Sequence, residues 1–138
     1  MPEHEALREL LQQFMAGAYT PISRLGFFCT PFVAGQGIWR GKVIKIFRGL
    51  KNRTIVERLS DQHFAYLNEL RTRGIRVPAT QMHVFPESNV YYPIVVQEFF
   101  GSTELVRALM LKASPSAAAE LMLRCLEIIN QFWKANWR

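Results

Sequence analysis

Lys42-Val43-Ile44-Lys45-Ile46-Phe47 is the stretch whose reading decides the fold. Its residues alternate as a strand, so Lys45 shares one face with Val43 and Phe47, while Ile44 and Ile46 point to the other. Both faces are mostly apolar, and an ammonium emerges where a core is expected. Such a charge calls for an anionic partner, either from the protein or from a ligand. A snorkelling lysine on an edge strand is the alternative.

Working outward, Gly35-Gln36-Gly37 reads as a turn, with Ile38 to Arg40 and Lys42 to Arg48 as strands bent at Gly41. Upstream, Glu3 to Ala16 forms an amphipathic helix through Leu7, Leu10, Leu11 and Phe14, and Thr20-Pro21 breaks it. Ile22 to Val33 reads as strand, with Phe27, Phe28 and Phe32 as core candidates and Pro31 at an edge or bulge. Downstream, Arg53 to Arg73 is a long helix with Val56, Leu59, His63, Tyr66, Leu67 and Leu70 at three- and four-residue steps, stopped by Gly74 and Pro78. Gln81 to Phe85 and Val90 to Phe99 are strands joined by the turn-forming Pro86-Glu87-Ser88-Asn89. Ser102 caps a short helix carrying Leu105, Val106, Leu109 and Met110, and Ser114-Pro115 opens a last one. That last helix is apolar around most of its circumference, which calls for neighbours on more than one side; the chain supplies few elements to provide them, so an exposed apolar surface at Phe132, Trp133 and Trp137 is the competing expectation. The fold class is therefore α+β: a small antiparallel sheet, one long packed helix, an N-terminal helix and two C-terminal helices.

The 138 residues suit one domain with a real core, and a composition of 49% hydrophobic and 20% charged residues is globular. No apolar run reaches the ~18 residues that a membrane span needs. The acidic start Met1-Pro2-Glu3-His4-Glu5 has no following apolar run, so no signal peptide is read and the cytoplasm is the expected compartment. Cys29 and Cys125, far apart in apolar surroundings, read as reduced thiols. His4, His63 and His83 match no zinc spacing with them, and no serine-elbow motif occurs. The net charge of +6 has local origins in Arg48, Lys51, Arg53 and Arg58 and in Arg71, Arg73 and Arg76. It would steer an anion. The aromatics do not interleave with these clusters, so a nucleic-acid or phospholipid surface ranks behind a nucleotide as the expected partner.

The order of elements resembles the amino-terminal lobe of the protein-kinase-like fold, most nearly the bacterial branch of lipopolysaccharide (Kdo) kinases and aminoglycoside-phosphotransferase-like proteins. Val43-Ile44-Lys45 resembles the strand-three lysine motif. Leu67 through Gly74 to Pro78 resembles the exit of the following helix, and Val95-Val96-Gln97-Glu98-Phe99-Phe100 resembles strand five entering the hinge. The similarity spans roughly Phe32 to Trp137. It divides the chain into an N-terminal helix (1–20), a kinase-like lobe (21–100) and the hinge with the first helices of an incomplete second lobe (101–138). The resemblance implies that Lys45 binds the phosphates of ATP, that backbone around Gly35, Gly37 and Gly41 covers them, and that Glu98 and Phe99 take the adenine edge. A plain hairpin turn is the competing reading of Gly35-x-Gly37. The position of the ion-pair acid falls on His63, on the inward stripe with Leu59 and Leu67, which can accept a hydrogen bond but cannot neutralise a lysine. No H-x-D or D-F-G-like segment occurs, and magnesium would require a completing catalytic lobe. The expectation is a truncated or split kinase-like domain that binds nucleotide without completing phosphoryl transfer. A non-catalytic interaction module, self-associating or joined to a partner subunit, is the alternative.

Overall fold

The computed structural model describes residues 2–22, 29–100 and 106–136. Phe27, Phe28, Ser102, Leu105 and Trp137, named above, lie outside the described residues. Among the described residues, four helices and four strands follow one another as α1 (Pro2–Met15), β1 (Phe32–Val33), β2 (Val43–Ile46), α2 (Arg53–Thr72), β3 (Thr80–Glu87), β4 (Val90–Gln97), α3 (Val106–Lys112) and α4 (Pro115–Asn136). The fold is α+β, as expected. The chain divides into two compact units, one of residues 1–65 with 78–99, the other of residues 66–77 with 100–138.

The first unit is built on an antiparallel sheet of order β1-β2-β4-β3. Ile44 pairs with Val96, Lys45 with Val95, and Ile46 with Ile94, so β4 is central and β2 lies beside it. β3 and β4 form a hairpin closed at Glu87 and Val90. Ser88 and Asn89 both take positive φ, 51° and 63°. This is the primed-turn geometry that matches strand twist, and asparagine tolerates it well. Gly49, between β2 and α2, is required by a close approach: a Cβ there would collide with Val90 and Tyr92. Leu50 and Tyr91 exchange two backbone hydrogen bonds at 3.0 and 2.8 Å and lock that crossing.

One face of the sheet is the core. Ile44, Ile46, Ile94, Val96 and Phe85 pack with Phe32, Ala34 and Trp39 against Leu7, Leu10 and Leu11 of α1. The amphipathic pattern of α1 is what supplies that apolar stripe. The helix ends in a Schellman motif, with Gly17 at φ 68° and Ala18 N–H donating to the Gln13 carbonyl at 2.9 Å. It thus stops six residues before Pro21, which the sequence reading took for part of its breaker.

Ile38 to Arg40, expected as a strand, is a turn instead. Arg40 N–H donates to Gly37 O, Lys42 N–H to Trp39 O and Gly41 N–H to Ala34 O, so the backbone spends its groups inside the loop. The reason is Trp39. Trp39 is 7% exposed in the α1 core, and its indole meets the His83 ring at a tilt of 50° with centroids 5.4 Å apart. Burial of so large a ring outweighs the weak strand preference of Ile38 and Trp39.

α2 begins at Asn52, whose Oδ1 accepts from Ile55 N–H at 3.2 Å. It ends in a second Schellman motif: Gly74 (φ 79°) donates to Arg71 O and Ile75 to Leu70 O, both at 3.0 Å. Ile75 and Val77 then pack on Leu67 and Leu70, the small core of the second unit. In that unit α4 starts as expected, with Ser114 Oγ accepting from Ala117 N–H at 3.3 Å and Pro115 in the first turn. The expected burial of α4 is not found. Met122, Leu123, Leu126, Ile128, Ile129, Phe132 and Trp133 are 46–61% exposed, because the described neighbours cover only part of its circumference.

The contact between α1 and β3 is sensitive to protons. His83 Nδ1 lies 3.6 Å from the Glu3 carboxylate, and its buried Nε2 has no partner among the described residues. Burial lowers the His83 pKa below the usual 6.5, and the Glu3 charge offsets this only in part. The unfolded chain therefore holds the proton more readily, so this contribution to stability is present above ~6.5 and lost as pH falls below it. We expect the urea midpoint to drop more between about pH 7 and pH 5 in the native protein than in His83→Gln. Parallel pH profiles would refute this role.

Candidate functional site

Lys45 projects from the face of β2 opposite the α1 core, since its neighbours Ile44 and Ile46 are both buried in that core. It stands in register with Val95 on β4 and Met82 on β3. Its side chain is half-buried, and no carboxylate lies within 4 Å of it among the described residues. Its field reaches Cys29. Burial raises the pKa of that thiol, and the Lys45 charge pulls it part of the way back. Nothing in the sequence spacing brought Cys29 to Lys45; only the return of the chain into β1 does. Both cysteines are free and half-buried.

The glycine loop is placed elsewhere. Gln36, Gly37, Ile38 and Trp39 line a small cleft with Ala6, Glu9, Leu10 and Gln13 of α1. Gly37 and Gly41 have positive φ, 82° and 81°, which serves the turn. Because Trp39 anchors the loop on the α1 side, Gly35, Gly37 and Gly41 are not gathered over the Lys45 face. The hairpin-turn reading of these glycines fits this placement.

Glu98 and Phe99 follow directly on β4. Glu98 N–H donates to Ala79 O at 3.0 Å, and its carboxylate Oε1 accepts from Ala79 N–H at 2.9 Å. The Glu98 amide is thus spent on the sheet, while the exposed Phe99 N–H has no backbone partner among the described residues. Gln97, buried at 8% exposure, donates from Nε2 to Thr80 Oγ1 at 3.1 Å. These bonds clamp the end of β4 to the start of β3.

His63 needs correction. It lies on the α2 stripe that the spacing predicts, but it is exposed and makes no hydrogen bond to Lys45. The helix is covered at Val56 (0% exposed), Ser60 and Leu67, whereas Leu59 and His63 between them are exposed. His63 instead lines a groove of about 290 Å³ with Phe47, Arg48, Leu50, Val56, Leu59, Ser60, Met82 and Pro93. The sequence pattern shows which residues share a helix face; it does not show where the opposite wall falls short.

The described residues hold no cluster of three or more His, Cys, Asp or Glu fit for a metal ion, and no helix among them is long and apolar enough to cross a membrane. Residues 6–137 match the profile of a family of unknown function, DUF6206. The chain belongs to that DUF6206 family. No curated protein and no solved structure matches the chain. For this DUF6206 member, function must be argued from the geometry of the Lys45 face and its surroundings.

The Glu98–Ala79 bond gives a direct check. Glu98→Ala should cost about 1 kcal/mol of stability, and Glu98→Gln much less because its amide oxygen still accepts. Denaturant melts of the two variants measure the difference; equal losses would show that the bond does not hold the strand ends together.

Proposed function

We propose that this DUF6206 chain is a kinase-like amino-terminal lobe that binds the phosphates of a nucleotide through Lys45. The observation that carries the reading is Lys45 itself: half-buried, on the sheet face away from the α1 core, with no carboxylate within 4 Å among the described residues. A cation so placed recovers its lost hydration best from a bound anion.

The neighbouring strand supplies the second support. Lys45 is paired with Val95, and Phe99 follows four residues further on, about 13 Å along an extended chain. An extended nucleotide can bridge that separation, phosphates at Lys45 and base edge at the Glu98 carbonyl and Phe99 N–H. The Glu98 N–H is excluded from the contact by its bond to Ala79. Gly35, Gly37, Gly41 and His63 take no part in this reading. Phosphoryl transfer would need an acid for the acceptor and ligands for magnesium, and the sequence carries no H-x-D or D-F-G-like segment to supply them. ATP bound here would present its phosphates to groups from a completing catalytic lobe.

Titration with a non-hydrolysable ATP analogue, alone and with a completing lobe, tests the proposal. Lys45→Ala should bind at least tenfold more weakly, since a charge-assisted contact is worth ~1.5–3 kcal/mol. Equal affinity of the two folded proteins, or no binding in either setting, sinks it.

A second reading, an interaction module without chemistry, is favoured by the exposed apolar side chains of α4. Surfaces of this kind mark self-association or a partner subunit. Sedimentation across concentrations should show mass rising with concentration and Ile129→Glu holding the chain monomeric. A monomer throughout counts against self-association.

A further inference from the structure

The groove between α2 and the sheet has a composition that specifies a ligand. Its walls are Phe47, Leu50, Val56, Leu59, Met82 and Pro93, all apolar, with three polar residues, Arg48, Ser60 and His63. Leu50 and Leu59 leave 40% and 50% of their surface in water, one on each side of the opening. Burying such surface is the ordinary drive for an apolar ligand body.

The polar residues select what the body must carry. Arg48 is exposed and has no carboxylate within 4 Å among the described residues, whereas the neighbouring Arg53 is held by Glu57 at 2.7 Å. Ser60 is 8% exposed, and its buried hydroxyl has no hydrogen-bond partner in the described structure. A buried hydroxyl without a partner is a standing cost that a ligand oxygen can relieve. His63 adds a ring nitrogen on the same wall. None of the side chains lining this groove is a carboxylate; Glu57 and Asp61 border the adjoining cavity that shares Ser60 and Met82, so the preference for an anion rests on Arg48.

We infer that this groove binds a small amphipathic carboxylate, an apolar body seated between Leu59 and Met82 with its carboxylate taken by Arg48. At the ~30 Å³ that a water occupies, 290 Å³ accommodates roughly ten non-hydrogen atoms. Octanoate has this size and character. The groove lies beyond Phe47, on the side of Lys45 away from Glu98, and the inference does not depend on the nucleotide reading.

The test is titration with octanoate, and separately with octylamine, followed by amide chemical shifts and thermal melts. The folded native chain should bind octanoate saturably, with shifts at residues 47–63 and 82, and should not bind octylamine. Arg48→Ala should weaken octanoate at least tenfold, and Leu59→Trp, which fills the groove from an exposed position, should abolish it. Equal binding of acid and amine, unchanged binding by folded Leu59→Trp, or displacement of octanoate by a saturating ATP analogue would each overturn the inference.

Discussion

Burial of Ile44, Ile46, Ile94 and Val96 beneath α1 is the interaction on which the rest of the first unit depends. These four side chains are 0–3% exposed. Each contributes about 1.5–3 kcal/mol through area removed from water. An exposed pair such as Arg53–Glu57 contributes only about 0.2–1 kcal/mol. The sheet is thus oriented by its aliphatic face, and charged side chains take the positions that remain.

Strand alternation then leaves no choice for Lys45. With Ile44 and Ile46 committed to α1, it must emerge on the other face, in register with Val95 and Met82. That face is less completely covered. α2 closes on it at Val56 and then leaves the groove edged by Leu59 and His63. The same core pulls Trp39 inward and carries the glycine loop to the α1 side, away from the lysine. One hydrophobic commitment therefore separates features that lie close together in sequence.

The two units use their apolar residues differently. The first places its aliphatics in a shared core. In the second, Leu67, Leu70, Ile75 and Val77 form a small cluster while α4 exposes large side chains. Membership of DUF6206 covers both units. The Lys45 face belongs to the first unit and presents a half-buried cation, whereas the exposed apolar side chains of α4 belong to the second.

Local chemistry was legible in the chain. Gly74 ends α2, Ser114-Pro115 opens α4, Ser88-Asn89 turns the hairpin, and the alternation of β2 sets the direction of Lys45. Each acts within a few residues, so spacing and residue type suffice. What escaped the sequence were matters of covering: that Ile38 to Arg40 yields its strand character to the burial of Trp39, that His63 faces a groove instead of a wall, and that Cys29 comes within the field of Lys45. These depend on which distant segment lies opposite, and period and propensity carry no record of that. The residues set the faces of each element, and long-range packing alone decided which faces were filled.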